Sequence, residues 1–371
     1  MKRLPISQEA RDLHDQSLVI DLHIDPILQH LFFDYDLNQR HDVVWRPRRN
    51  RTAYRLLHLF GRLMKWHRPF FNHIDVPRMQ EAGYSGAVFG IHSWPWHSEK
   101  GWGRIKRQLT YLRDLVTTNE DLISARKPAD LTAAFTSRKL ACFAGVEGLH
   151  CLGGRKAHQI LLDRITHLRN EYGVSYLTLT HFSKNEAATP AMGWRSNERD
   201  GLSGFGEEVV ELMNGLGMLV DVAHLNNVGV LDVCRSSQAP VIATHTGVNG
   251  VRPHPRNLSD EALKCIADSG GLVGIMFAPN FLCQKGTAGS TEAVFRHIDY
   301  VVNNYGEDHV AIGSDFDGWI PRIPEDMRDA ADLPRLTQAM LDHGYQGKRI
   351  QKILGGNFLR VWREVEGVSV L

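Results

Sequence analysis

The 371-residue sequence predicts a (β/α)8 barrel with a long insertion after its first strand. Three observations lead there. Eight short runs rich in Val, Ile, Leu and Ala recur along the chain, most followed by a loop and a helical pattern. Their near-continuous apolar character suits parallel strands buried on both faces. The length also fits one such barrel with insertions, a class that runs from about 200 to over 400 residues. No Gly-, Pro- or Ser-rich linker divides the chain, so residues 1–371 read as one domain. A doubly wound open sheet stays as the alternative, because counting strands does not prove closure.

The strand candidates are residues 18–25, 84–92, 139–148, 174–182, 217–225, 239–247, 271–278 and 309–318. The first, LVIDLHID, leads into a connection of about residues 29–76, too long for an ordinary βα unit. Its middle, Arg46 to Arg68, is dense in Arg and Lys and contains no acid. There Leu56, Leu57, Phe60, Leu63 and Met64 recur at helical spacing, which predicts a basic amphipathic helix. Packing on the barrel rim and covering an active site are its leading roles, ahead of an acidic partner or an anionic membrane surface. Further on, Val209, Val210, Leu212, Met213 and Leu216 share one face of a helix bracketed by glycines. Ser259, Asp260 and Glu261 cap the start of another, which Gly270-Gly271 ends.

Charge and cysteine usage exclude several classes. The 43 Lys+Arg nearly cancel the 42 Asp+Glu, so no net field recruits nucleic acid. Five scattered cysteines argue for free thiols, Cys142 and Cys151 included, over a disulfide framework. The N-terminal MKRLPISQEARDLHDQ has no apolar core for a signal peptide. The longest nearly apolar stretch, Gly270–Leu282, has 13 residues, too few to span a bilayer. A cytoplasmic protein without a stable membrane anchor is the resulting expectation.

The polar residues that end these apolar runs carry the chemistry. The first run ends in His23-x-Asp25, the third at Glu147, the fourth at His181, the fifth at His224 and the sixth at His245. The eighth ends at Asp315, with Asp317 beyond. In a barrel the C-terminal strand ends converge on one face, where active sites are built. Taken singly, each has a structural explanation: a strand-end His is more often hydrogen-bonded than a ligand, and His92, His150 and His254 are read that way. Asp315 alone would serve as a helix cap and Glu147 as an ion-pair partner. Their joint placement turns the reading toward metal. Imidazole nitrogen and carboxylate oxygen suit zinc. Five ligands exceed one tetrahedral ion and fall short of two closed structural ones. A carboxylate such as Glu147 bridging two ions that share a hydroxide fits the count.

The motifs LVIDLHID, GVEG, LTHFSKN, GFGEEVVELMNGLGMLVDVAHL, PVIATHTG, HPRNLSDEAL, GSDFDG and GGNFLRV resemble, in order, those of the membrane (renal) dipeptidase family of zinc metallopeptidases. The resemblance runs from about residue 17 to 365. It implies an amidohydrolase-type barrel that hydrolyses dipeptides at a two-zinc centre. By that resemblance His23 and Asp25 hold the first zinc, His224 and His245 the second, and Glu147 bridges them. His181 then polarises the substrate carbonyl, Arg256 holds the substrate carboxylate, and Asp315 is the acid/base. A homodimer is the family default.

Other readings remain open at this level. The same two-metal chemistry serves N-acyl amino acids or another amide or ester, and a non-catalytic relative would keep the barrel for binding. Departures from the family pattern lie at Ile24, at Val88-Phe89-Gly90-Ile91 and at Ala278. The last predicts extra room around the C-terminal residue of a dipeptide, and so tolerance of a D-residue there.

Overall fold

The computed structural model describes residues 5–41, 50–63, 72–93, 99–153, 156–284, 289–320 and 322–368. Nine parallel strands are present among them: β1 (Ile20–Ile24), β2 (Gly86–Ile91), β3 (Leu122–Ser124), β4 (Leu140–Glu147), β5 (Tyr176–Thr178), β6 (Leu219–Asp221), β7 (Val241–Thr246), β8 (Leu272–Ile275) and β9 (Val310–Ile312). All except β3 form a closed ring, in which β2 pairs with β4 and β9 returns to β1 through Asp21 and Ile312. Each of the eight expected runs contains one ring strand. The sequence reading missed β3, which flanks the first half of β4. Three residues are too few to show a period.

The alternation of side chains separates two cores. Outward-facing Phe89, Val146, Leu177 and Val220 pack under the surrounding helices. Inward-facing Leu22, Val88, Phe143, Tyr176, Leu219 and Ile242 fill the barrel. The helix Asn357–Val368 closes the N-terminal end, with Phe358 stacked on Phe143 and Trp362 tilted against it. Burying a side chain such as Phe358 contributes about 1.5–3 kcal/mol. With that end plugged, the interior opens at the C-terminal ends of the strands.

Two β-bulges interrupt the alternation. Asp21 pairs with Ala87 but Ile24 with Phe89, so β1 carries one extra residue. In the same way Ala243 pairs with Val273 but Thr246 with Ile275. An extra residue turns the following side chain to the other face. Leu22 and His23 therefore both point inward, as do Ile242, Thr244 and His245.

The insertion does form a helix, Arg51–Leu63, but its packed face differs from the expected one. Tyr54 and Leu57 turn toward Phe33, whereas Leu56, Leu59, Phe60 and Leu63 are exposed, Leu63 by 72%. Met64 and the flanking Arg46 and Arg68 lie outside the described residues. No described helix is long and apolar enough to cross a membrane. All five cysteines are free, with Cys142 and Cys151 buried.

Candidate metal centre

The ring brings His23, Asp25, Glu147, His181, His224, His245, Arg256 and Asp315 to one mouth. Asp25, Glu147, His181, His224, Arg256 and Asp315 line a cavity of about 310 Å³, with Phe182, Met276, Phe281 and Trp319 as apolar walls. Glu147 sits at the centre. Its Oε1 is 2.9 Å from His224 Nε2, 3.4 Å from His245 Nε2 and 3.8 Å from His23 Nε2. Its Oε2 is 3.6 Å from His181 Nε2. His23 Nε2 lies 3.5 Å from Asp25 Oδ1. Ligand atoms of His23, Asp25 and Glu147 lie within 4.8 Å of one another, and so do those of Glu147, His224 and His245. Asp315 makes a similar group with His23 and His245.

Two of the ligand candidates, His23 and His245, are oriented by neighbours that the sequence reading did not select. His23 Nδ1 donates to Tyr176 Oη at 2.6 Å, and that hydroxyl donates on to the Leu22 carbonyl. Tyr176 crosses the barrel only because residue 145 is glycine, since a Cβ there would fall 2.0 Å from its ring. His245 Nδ1 faces Thr244 Oγ1 at 3.0 Å, and Thr244 donates to Asp221. Asp221 also accepts from the Thr178 hydroxyl and from the backbone N–H groups of Ala223 and Thr244. It thereby pins the turn before His224 and the bulge before His245. An acid ending an apolar strand was the available signal for Asp221.

These partners fix the proton on Nδ1 and leave Nε2 of His23 and His245 facing the cavity, the tautomer a metal requires. His23 Nε2 and Asp25 Oδ1 are buried and make no hydrogen bond. Buried polar atoms left so are rare in native proteins and call for a partner. Gly90 shapes the same spot: a Cβ there would come 2.1 Å from Asp25 Oδ1 and 2.8 Å from His23 Cε1. The donor set, its orphaned atoms and this cradle fit a divalent cation.

The electrostatics agree. Burial, joined by positive neighbours, holds His181, His224 and His245 well below the usual imidazole range, so they stay neutral with lone pairs available. Burial would lower His23 too, but Asp25 and Glu147 outweigh it and raise it to about 10, so without an ion His23 carries a second proton, which a metal would displace. Burial lifts Glu147 to about 7 and, with the charge of Asp25, pushes Asp315 well above the carboxylate range. Burial lowers Arg256 to about 10, which leaves it charged at neutral pH.

The chemistry sits on strained backbone. His224, Asp315, Asp317 and Trp319 have φ of 64°, 61°, 67° and 60°. Such non-glycine conformations cost about 1–3 kcal/mol each and cluster at functional sites. Arg256 is aimed by two bonds: its guanidinium donates to the His245 carbonyl at 2.8 Å, and its backbone N–H to His254 Nδ1. Asp317 faces away and latches the insertion, accepting from the His73 backbone N–H at 2.6 Å. Ala278 is fully buried and precedes the short helix Pro279–Leu282, while Met276 and Phe281 line the cavity on that side. Ala278, expected to open room for the substrate, is not among the residues that line the cavity. His92, read from the sequence as a bystander, lines the cavity as well.

The profile of the membrane dipeptidase family, peptidase family M19, matches residues 7–370. The chain belongs to that family. It is by descent a metal-dependent hydrolase of the dipeptidase class. One relative, the dipeptidase tcpJ of Claviceps purpurea (strain 20.1), is 32% identical over 312 residues, which cover 80% of this chain and 70% of tcpJ. The solved structure of dipeptidase AC, a family M19 metallopeptidase, is 27% identical with a TM-score of 0.76, covering 95% of this chain and 99% of its own. A metallopeptidase from Rhodobacter sphaeroides, liganded with a phosphinate mimic of L-Ala-D-Ala, is 25% identical with a TM-score of 0.73, covering 94% and 100%.

Proposed function

We propose that this M19 family member is a zinc-dependent dipeptidase holding two ions, one on His23, Asp25 and Glu147, the other on Glu147, His224 and His245. The observation that carries the reading is Glu147, shared by two ligand groups in a cavity that also presents a buried guanidinium. Bound there, two zinc ions would activate a shared water and polarise the scissile carbonyl.

The chain's own residues supply the remaining steps. Asp315, whose carboxylate lies within 4.8 Å of ring nitrogens of His23 and His245, serves as the acid/base: the charge of the bound ions would keep it ionised, so that it takes the proton of the attacking water and returns it to the leaving amine. His181, neutral and at the cavity wall, donates an N–H to the substrate carbonyl oxygen as it gains charge. Arg256 grips the C-terminal carboxylate, for which its planar fork is suited. Phe182, Met276 and Phe281 exclude water around the amide.

The ligand of the R. sphaeroides relative supports a D-residue at the C-terminal position here too. Attack at the carbonyl keeps the departing residue's stereocentre away from the metals. The helix Arg51–Leu63 reaches the mouth through Tyr54 on Phe33, and Phe32 on Trp319, and we read it as a cover for the cavity. The test is elemental analysis of the purified protein beside one L,L dipeptide, its L,D isomer and its C-terminal amide. About two zinc per chain, with turnover of dipeptides and none of the amide, is expected. Absence of bound metal, or equal turnover of the amide, overturns the reading.

A further inference from the structure

The mechanism above leaves one cavity histidine idle. His92 directly follows β2 and is 4% exposed. Its Nδ1 lies 3.3 Å from the Ser93 carbonyl, an oxygen that only accepts, so Nδ1 is the donating nitrogen there and Nε2 is left for another partner. That Nε2 is buried, makes no hydrogen bond and lies 3.9 Å from Asp25 Oδ2. His23 and His245 show the same two-ended arrangement, with Nδ1 tied to a neighbour and Nε2 turned to the cavity. The His92 ring stands nearly perpendicular to that of His181, with centroids 5.2 Å apart. Ligand atoms of His92, His181 and Glu147 lie within 4.8 Å of one another, as in the two groups assigned above.

We propose that His92, His181 and Glu147 form a third metal site, taking a borderline divalent ion such as zinc or cobalt(II), which fills last and inhibits. The proposal rests on the two-zinc reading. Imidazole pairs with one carboxylate suit these ions. The third site has no negative charge of its own, because Glu147 already serves the other two groups, so it binds more weakly. An ion there takes the His181 nitrogen assigned to the substrate carbonyl and draws Glu147 away from the bridge. It also fills space the dipeptide needs. Zinc above the activating level therefore inhibits, in competition with substrate.

The test is equilibrium dialysis of the whole protein against rising free zinc, with bound metal counted by elemental analysis, and the visible spectrum of the cobalt(II) form followed in parallel. Wild type is expected to step from two ions to three, the third with a Kd at least about tenfold above that of the second, and new cobalt absorption accompanies that step. The third step coincides with loss of activity. His92→Phe keeps the ring volume and His92→Gln keeps a polar side chain; both stop at two ions and lose the inhibitory phase. Wild type saturating at two ions up to millimolar zinc, or both variants still taking a third, overturns the proposal. Wild type holding fewer than two ions at low zinc strikes the two-zinc reading instead, a result distinguishable from both.

Discussion

Gly90→Ala tests whether the first ligand group is built for an ion. The added Cβ would fall 2.1 Å from Asp25 Oδ1 and 2.8 Å from His23 Cε1, whereas ordinary contact begins at 3.4 Å. Asp25 must therefore swing its carboxylate away by more than an ångström. The His23 ring has less freedom, because Tyr176 holds its other nitrogen at 2.6 Å. Metal–ligand distances tolerate only about ±0.2 Å, so the first ion is lost while the second group, which the added Cβ does not meet, survives. Misplacement by about 1 Å near the chemistry costs on the order of 100-fold in rate, so kcat/KM should fall by at least that much. Only side-chain ends are displaced, and the melting temperature of the metal-free protein should move little. Elemental analysis should read one zinc per chain in place of two, with circular dichroism unchanged. Two tightly held ions and intact turnover in the variant would refute the assignment of His23 and Asp25.

Arg256→Ala should lower kcat/KM for a dipeptide by one to two orders of magnitude, since a charged hydrogen bond contributes about 1.5–3 kcal/mol. Equal losses on the dipeptide and its C-terminal amide would show a structural role and no carboxylate grip. Glu147→Gln should weaken both ions and His224→Ala only the second; unchanged stoichiometry in Glu147→Gln removes the bridge. Burial holds the His14 imidazole down at about 4, against 6.5 for the unfolded chain, despite its bond to the Ala82 carbonyl. The stability it contributes is therefore present above pH 6.5 and lost as pH falls toward 4, by up to ~3 kcal/mol. The melting-temperature gap between wild type and His14→Gln should narrow across that window, and a gap independent of pH would refute the argument. Tyr54→Ala should loosen the helix Arg51–Leu63 and raise KM with metal content intact; unaltered kinetics would dismiss it as a cover.

The ring strands were legible because parallel strands buried on both sides leave long apolar runs, and the site was legible because those runs stop at His, Asp or Glu. What aims those side chains was not. Strict alternation with Leu22 inside would send His23 outward, and only the bulge, visible through pairing with β2, reverses it. Tyr176 reads as one more strand aromatic until Gly145, distant in sequence, is seen to make room for it. His92 fails for the opposite reason: a histidine at a strand end looks like many others, and its meaning lies in an unpaired nitrogen that no spacing encodes. The basic helix shows the limit of periodicity, which located it but did not decide which leucines would be covered.

The seam between β1 and β9 bears on when, during synthesis, the protein becomes a catalyst. Asp25 donates its backbone N–H to the Phe316 carbonyl at 2.8 Å, Asp315 donates to the His23 carbonyl at 3.0 Å, and Ser314 donates to Asp21 Oδ1 at 2.8 Å. The first strand, translated early, thus waits for residues 310–316 before its edge is paired and His23 and Asp25 are held in place. A ribosome-bound chain that has not reached that point lacks Asp315 altogether and has its first ligand group on an open edge. Pairing of that edge therefore waits for the last strand, and the helix that plugs the barrel, Asn357–Val368, follows later still. A chain interrupted before residue 310 accordingly lacks both the partner of that edge and Asp315.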